Sequence, residues 1–149
     1  MKKKLIIIAV CLFGIDIVSK CIALKYLEVN QSVTLIPHFF SLTLSKNTGG
    51  AFSILSGNVV LIIILSIVVI YFLIGIIRDG AHNSFEMICY SLICGGAVGN
   101  LFDRVVYGYV VDFLDFNILG YDYPIFNFAD SFIVIGVICL AIDGFKRKG

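Results

Sequence analysis

Apolar residues occur in four long runs, separated by shorter stretches that hold most of the polar and charged residues. The runs at 5–24 and 59–77 approach the roughly 20 residues that a helix needs to cross the ~30 Å hydrocarbon core of a bilayer. The runs at 87–102 and 125–142 are shorter or more polar, so they span only with help from flanking residues or a locally thin bilayer. The pattern therefore predicts four transmembrane helices.

A different periodicity occurs in the segment 28–57. Apolar and polar residues alternate strictly from Phe40 to Ser45, which is typical of a half-buried β-strand. Gly49 and Gly50 follow and permit a tight turn or a close backbone approach. The segment 106–123 mixes Tyr, Phe and Asp in the manner of a loop or helix at a membrane interface. We therefore predict one membrane domain over 1–149, mainly α-helical, with a small extracytoplasmic β-sheet and an interfacial loop or helix.

Basic residues predict the orientation of this domain, because Lys and Arg are enriched in cytoplasmic loops. Most of the 11 Lys and Arg residues fall on one side of the predicted membrane. That side holds Lys2, Lys3, Lys4, Arg78, Lys146, Arg147 and Lys148. Both termini are therefore expected in the cytoplasm, and the segments 28–57 and 106–123 outside. Asp16 and Lys20 interrupt the first run and no small-residue cleavage site follows, so we expect a retained helix rather than a cleaved signal peptide.

Composition narrows the chemistry. A chain that is 60% hydrophobic, with mean hydropathy +1.04 and net charge +1, has no basic surface suited to nucleic acid. The five cysteines show no C-x-x-C spacing, so we expect neither a metal nor a redox centre. His38 and His82 are predicted on opposite sides of the membrane, which disfavours Ser/His and Cys/His catalysis. No cofactor is expected.

Polar residues gather near the outer ends of the predicted helices. Asp16 and Lys20 lie four residues apart on one helix face and can neutralise each other, which indicates a structural pair. Gly95 and Gly99 form a small-xxx-small face for close helix contact. Asp103 directly precedes Arg104, as expected of an ion pair at a membrane surface.

Asp130 does not fit such an ion pair. No Lys or Arg lies within a helical turn of it, and an unpaired carboxylate inside a membrane costs a few kcal/mol. A second carboxylate nearby would let the two share one proton, so that one takes a proton from water while the other polarises a carbonyl. This is aspartic peptidase chemistry. Asp112 is the first candidate for the partner, and Asp115 is the alternative.

The motifs "DIVSK", "NTGGAF", "GGAVGNLFDR", "GYVVDF" and "FNFADS" occur in this order. In order and spacing, over essentially the whole chain, they resemble the motif blocks of the lipoprotein signal peptidases (signal peptidase II). The resemblance implies four membrane helices, an extracytoplasmic sheet and a catalytic aspartate pair at Asp112 and Asp130. It also implies the removal of signal peptides from prolipoproteins, by cleavage before a cysteine that already carries diacylglycerol.

Other positions match the family individually. Those that would line or support the site are Asn47, Gly49, Asn100, Arg104, Asn127 and Ala129. Asp16 and Lys20 match the pair of the first helix, and Asp103 and Asp115 are interpreted as structural. The chain departs from the family at Ile17, where Gln is usual, and at Gly50, where Ala is usual.

The resemblance also implies a setting. The enzyme would be a monomer in the cytoplasmic membrane of a bacterium, surrounded by membrane lipids, with its site at the outer leaflet. A proton-coupled drug exporter is the alternative, since such exporters also have four short helices and a membrane carboxylate. Asp16 would be that carboxylate. Its lysine partner and the strand before residue 57 both argue against this alternative.

Overall fold

The computed structural model describes residues 2–29, 31–49, 58–80 and 83–147. Its four helices are each long and apolar enough to cross a membrane. They are α1 (Lys2–Tyr26), α2 (Val59–Asp79), α3 (Ser84–Tyr107) and α4 (Phe128–Lys146). The prediction of a mainly helical membrane protein with four spanning helices and a small sheet is confirmed.

The ends of the helices differ from the predicted ranges. Helix α3 continues to Tyr107 and ends at Gly108, whose φ of 76° is left-handed, a conformation that glycine adopts at helix ends without steric cost. Helix α4 begins at Phe128 rather than at residue 125, because Asn127 caps it. Asp130 is therefore in the first turn of α4 and not a turn and a half inside the helix.

Four antiparallel strands form one sheet in the order β1-β2-β3-β4. The strands are β1 (Ser32–Ile36), β2 (Phe40–Asn47), β3 (Val110–Ile118) and β4 (Tyr121–Asp122). The alternation from Phe40 to Ser45 lies within β2. The segment 106–123, for which the sequence predicted an interfacial loop or helix, contributes β3 and β4 to the sheet. Its apolar run Val110–Val111 is buried because β3 is the strand of the sheet that packs against α1 and α3.

Helix α3 packs against the three other helices, and glycines make this close contact possible. A Cβ on Gly95 would lie 2.9 Å from the Ala9 carbonyl oxygen of α1. A Cβ on Gly96 would overlap the Ala129 carbonyl oxygen of α4. Side chains here would push the helices apart, so these glycines hold α1 and α4 at backbone contact distance.

Two polar links tie the helices together at the end of the bundle away from the sheet. Arg147, the C-cap of α4, pairs with Glu86 of α3 at 2.7 Å and with Asp143 of α4 at 2.7 Å. The buried Ser91 hydroxyl of α3 donates to the Met87 carbonyl of its own helix at 2.7 Å and also lies within hydrogen-bond distance of the Leu5 carbonyl of α1, at 3.2 Å. Both links lie far from the sheet.

At the opposite end, an apolar cluster joins the sheet to α1. It consists of Ala23, Leu44, Val111, Phe113 and Leu114. Because Val111 and Phe113 belong to this cluster, the residue between them is held at the junction of the sheet and the helices. That residue is Asp112.

Candidate active site

Asp112 and Asp130 reach the same cleft from different elements. Asp112 lies on β3 and is 2% exposed, and Asp130 lies in the first turn of α4. Both line a cleft of about 460 Å³ between the sheet and α2, α3 and α4. The structure thus brings together the two aspartates that the sequence paired.

Asn127 connects the two aspartates. Its side-chain Nδ2 donates to Asp112 Oδ1 at 2.7 Å. Its Oδ1 accepts from the Asp130 backbone N–H at 2.9 Å, while Asp130 Oδ2 accepts from the Asn127 N–H at 3.3 Å. The last two bonds form a capping box, which satisfies N–H groups that a helix start leaves without partners. The fully buried Asn127 therefore starts the helix, holds the Asp112 carboxylate with its side-chain amide and holds the Asp130 carboxylate with its backbone N–H.

Two further amides complete the hydrogen bonding of the pair. Asn47 of β2 donates its Nδ2 to Asp112 Oδ2 at 3.0 Å. Asn100 of α3 donates its Nδ2 to Asp130 Oδ1 at 2.7 Å. Every carboxylate oxygen of the pair thus accepts an N–H, which fixes the orientation of both groups.

The environment of Asp112 favours its protonated form. Burial raises the pKa of Asp112 to about 7, and the nearby Asp130 carboxylate contributes to this rise. The hydrogen bonds from Asn47 and Asn127 oppose it, because they stabilise the ionised form. A carboxyl group with a pKa of about 7 still carries its proton in a large fraction of molecules at neutral pH.

Arg104 holds the turn that follows β2. Its Nη1 donates to the Asn100 carbonyl at 3.1 Å and its Nη2 to the Gly49 carbonyl at 3.0 Å. The Gly49 N–H in turn donates to Asn47 Oδ1 at 2.9 Å. Arg104 therefore acts on the site through two backbone carbonyls.

Gly50, where the sequence departs from the family pattern, and His82 both lie outside the described residues.

Behind the cleft lies a cluster of three buried ionisable groups, Asp16 and Lys20 of α1 and Asp103 of α3. Lys20 Nζ lies 2.7 Å from Asp16 Oδ2 and 3.0 Å from Asp103 Oδ2. The three residues are 0%, 1% and 0% exposed, respectively. The interpretation of Asp103 as an interfacial ion pair with Arg104 is wrong, because Asp103 is buried and pairs with Lys20.

Sequence reasoning missed this role of Asp103, although a signal was present. Gly95, Gly99 and Asp103 recur at every fourth residue of α3, so they share one helix face. Gly99 lies so close to α1 that a Cβ would overlap Asp16 Oδ2. The small-residue face that predicted contact with another helix thus also pointed Asp103 toward the charges of α1.

Asp115, the alternative partner, lies elsewhere. Its Oδ2 accepts from the Thr43 hydroxyl at 2.6 Å, and it lines a second cavity with His38 and Asp122 rather than the cleft.

Ala129 is fully buried and donates its N–H to Asp16 Oδ1 at 2.9 Å. Within the described ranges, no group of three or more His, Cys, Asp or Glu residues could hold a metal ion.

The rest of the cleft is mainly apolar, although Ser66 of α2 and Arg104 of α3 also line it. Its wall is formed by Ile62, Leu65 and Val69 of α2, Ala97 of α3, and Ile133 and Val134 of α4. The aspartates lie at the sheet end of this wall. The cleft thus offers hydrogen-bonding groups at one end and a hydrocarbon surface along the helices.

Comparisons with known proteins agree on one family. The sequence profile described as signal peptidase II matches residues 8–146. A lipoprotein signal peptidase of Staphylococcus aureus strain MRSA252 is 44% identical over 138 residues, which cover 92% of this chain and 85% of that protein. The protein of the same description from strain JH9 is 43% identical over the same shares.

Two solved structures, each described as a bacterial membrane enzyme, have the same fold. The first superposes with a TM-score of 0.91 at 41% sequence identity and covers 99% of this chain and 90% of its own. The second superposes with a TM-score of 0.85 at 42% identity and covers 95% of this chain and 92% of its own.

Proposed function

Because the chain belongs to the signal peptidase II family of aspartic peptidases and cleaves the signal peptides of prolipoproteins, we propose that Asp112 and Asp130 are its catalytic dyad. One observation carries this assignment: Asn127 hydrogen-bonds to both residues, at 2.7 Å to Asp112 Oδ1 and 2.9 Å to the Asp130 N–H. One buried residue thus holds the Asp112 carboxylate with its side-chain amide and the Asp130 carboxylate with its backbone N–H. This arrangement, in a cleft open to a substrate, supports a pair that shares one proton.

The two aspartates have different roles in this proposal. Asp130 lies in the first turn of α4, where the partial positive charge of the helix N-terminus favours an anion. It is the base that takes a proton from the attacking water. Asp112, whose pKa burial raises to about 7, carries the shared proton and donates it toward the carbonyl oxygen of the scissile peptide bond.

Four amide and guanidinium side chains support this chemistry. Asn47, Asn100 and Asn127 hold the carboxylates directly. Arg104 holds the turn at Gly49, and so fixes the edge of the cleft that would face the substrate. Ala129 contributes its backbone N–H rather than its side chain.

The shape of the cleft favours a substrate with a lipid attached. Its apolar wall runs along α2 and α4 from the aspartates, so acyl chains could stay against hydrocarbon while the peptide bond reaches the dyad. We therefore place the cleavage on the N-terminal side of a diacylglyceryl-modified cysteine.

The basic residues at both termini support a cytoplasmic location of both termini, which puts the dyad at the outer leaflet of the bacterial cytoplasmic membrane. One chain supplies every group named here, so a monomer suffices, with membrane lipids around it.

The experiment compares two substrates and four variants. Purified protein in detergent is incubated with a diacylglyceryl-modified prolipoprotein and with its unmodified precursor, and cleavage is followed by gel mobility and mass spectrometry. We expect cleavage of the modified protein alone, directly before the modified cysteine. Asp112→Asn, Asp130→Asn and the double variant should all be inactive to the same degree, because the two residues act as a unit.

Asp115→Asn is the matched control, since it lies three positions along the same strand and outside the cleft. It should keep most of its activity. Turnover by Asp130→Asn, or loss of turnover in a well-folded Asp115→Asn, would show that the dyad is assigned wrongly. Equal cleavage of both substrates would refute the requirement for the lipid.

A further inference from the structure

The two buried carboxylates behind the cleft bind the backbone at equivalent places. Asp16 Oδ1 accepts from the Ala129 N–H at 2.9 Å, and Ala129 directly precedes Asp130. Asp103 Oδ2 accepts from the Val111 N–H at 3.1 Å, and Val111 directly precedes Asp112. Each carboxylate therefore holds the backbone N–H of the residue that comes immediately before one of the dyad residues.

Lys20 joins these two holding points. Its Nζ lies 2.7 Å from Asp16 and 3.0 Å from Asp103. It also donates to Asn100 Oδ1 at 3.0 Å, and Asn100 is the residue that donates to the Asp130 side chain. One ammonium group thus links both backbone attachments to one of the amides that orient the dyad.

Stability alone does not explain such a cluster. Replacing a buried ion pair or triad with apolar side chains of similar size is often neutral or even stabilising, because desolvating the charges costs so much. Here the three groups are between 0% and 1% exposed. None of them is among the described residues that line the cleft, so they act on the site from outside it.

We propose that Asp16, Lys20 and Asp103 are positioning residues that fix the separation of the two dyad carboxylates by anchoring the backbone N–H of the residue before each of them. The proposal rests on the assignment of Asp112 and Asp130 as the dyad. It concerns turnover rather than substrate affinity, because the cleft wall that would bind the substrate belongs to other residues.

The first test contrasts two substitutions of Asp103. Asp103→Asn keeps an oxygen that can accept from the Val111 N–H, and Lys20 keeps Asp16 as its counter-ion. Asp103→Leu has similar volume but no acceptor. We expect near-normal turnover in Asp103→Asn, and in Asp103→Leu a kcat lower by about 100-fold, the usual effect of a displacement of about 1 Å at a reacting centre, with KM unchanged.

The second test moves the cluster without removing any polar group. A Cβ on Gly99 would overlap Asp16 Oδ2, whereas a Cβ on Gly14 meets nothing within 4 Å. Gly99→Ala should therefore displace the Asp16 carboxylate and lower kcat, while Gly14→Ala, on the same helix as Asp16, should not. If Asp103→Leu does not fold, the comparison of these two alanine variants decides the question.

Ser91→Ala controls for the loss of a buried polar contact between α1 and α3 at the far end of the bundle. The Ser91 hydroxyl donates to the Met87 carbonyl of its own helix at 2.7 Å and lies 3.2 Å from the Leu5 carbonyl of α1. The variant should lower the melting temperature and leave kcat unchanged. Normal kcat in folded Asp103→Leu and Gly99→Ala would overturn the proposal, as would a drop in Asp103→Asn equal to that in Asp103→Leu. Failure of the dyad assignment gives a different result, which is turnover by Asp112→Asn or Asp130→Asn.

Discussion

Asn127 performs two tasks, and the substitution Asn127→Ser should separate them. Serine is about as good a helix N-cap as asparagine, and loss of the cap to alanine costs about 1 kcal/mol. Serine is too short to carry the amide that donates to Asp112 Oδ1 at 2.7 Å. Removing the amide leaves the buried Asp112 Oδ1 without its donor, which costs about 1–3 kcal/mol, so kcat/KM should fall roughly 5- to 150-fold in Asn127→Ser.

The assay measures kcat/KM for a lipid-modified prolipoprotein and thermal unfolding, in the wild type, Asn127→Ser and Asn127→Ala. Both variants should lose the same activity, since both lack the amide. Only the alanine variant should also lose the cap, so it should melt at a lower temperature than the serine variant. The basic limb of the activity profile should move to higher pH in both, because the Asn127 hydrogen bond lowers the pKa of Asp112.

Two results would refute this reasoning. Asn127→Ser could retain kcat/KM within about threefold of the wild type, which is below the smallest effect expected when a buried acceptor loses its donor. Alternatively, the serine and alanine variants could differ in activity as much as in melting temperature. The loss of activity would then follow from the loss of the cap.

The raised pKa of Asp112 has a consequence for stability: the native state binds this proton more tightly than the unfolded chain, so the stability it contributes is complete below about pH 4 and is lost as the pH rises to about 7. Thermal unfolding between these limits should show this decline, and Asp112→Asn should reduce it. Arg104→Lys should lower both melting temperature and activity, because a lysine cannot reach two carbonyls at once; a normal melting temperature with lost turnover would place Arg104 in the chemistry. For the topology, a cysteine at the fully exposed Leu119 should react with an impermeant thiol reagent in intact cells, in a background without native cysteines, and one at Asp79 only after lysis. The reverse pattern would contradict the orientation.

Most of the fold could be predicted from the sequence, because the length of an apolar run and the spacing of its apolar residues can be read from neighbouring positions alone. Four apolar runs and one alternating segment were sufficient for the helices and for β2. Strand β3 was missed because its residues Val110 to Leu114 are buried and show no alternation that would distinguish them from a helix. The start of α4 was placed too early, although the spacing of Asn127 and Asp130 is that of a capping box.

The contacts within the site were less predictable, because they join residues far apart in sequence. Lys20 and Asn100 are 80 positions apart, and no local pattern reports such a pairing. The pairing of Asp103 with Lys20 depends on the close approach of α1 and α3. Gly95 and Gly99 indicate that α3 approaches another helix closely, but they do not indicate which residues of the two helices face each other. Arg104, the neighbour of Asp103 in sequence, was therefore taken as its ion-pair partner.

The salt bridge between Asp16 and Lys20 also bears on how the protein enters the membrane during translation. Helix α1 is synthesised long before Asp103, the second counter-ion of Lys20, leaves the ribosome. The nascent helix nonetheless carries its own counter-ion one turn away, so it can pass into lipid as a neutral pair. When α3 inserts, it carries a second carboxylate, Asp103, while Lys20 already has Asp16 as its counter-ion. Asp103 becomes buried only when the glycine face of α3 packs against α1. We therefore expect the buried charge cluster to be completed by association of α1 and α3 in the bilayer, after both helices have inserted.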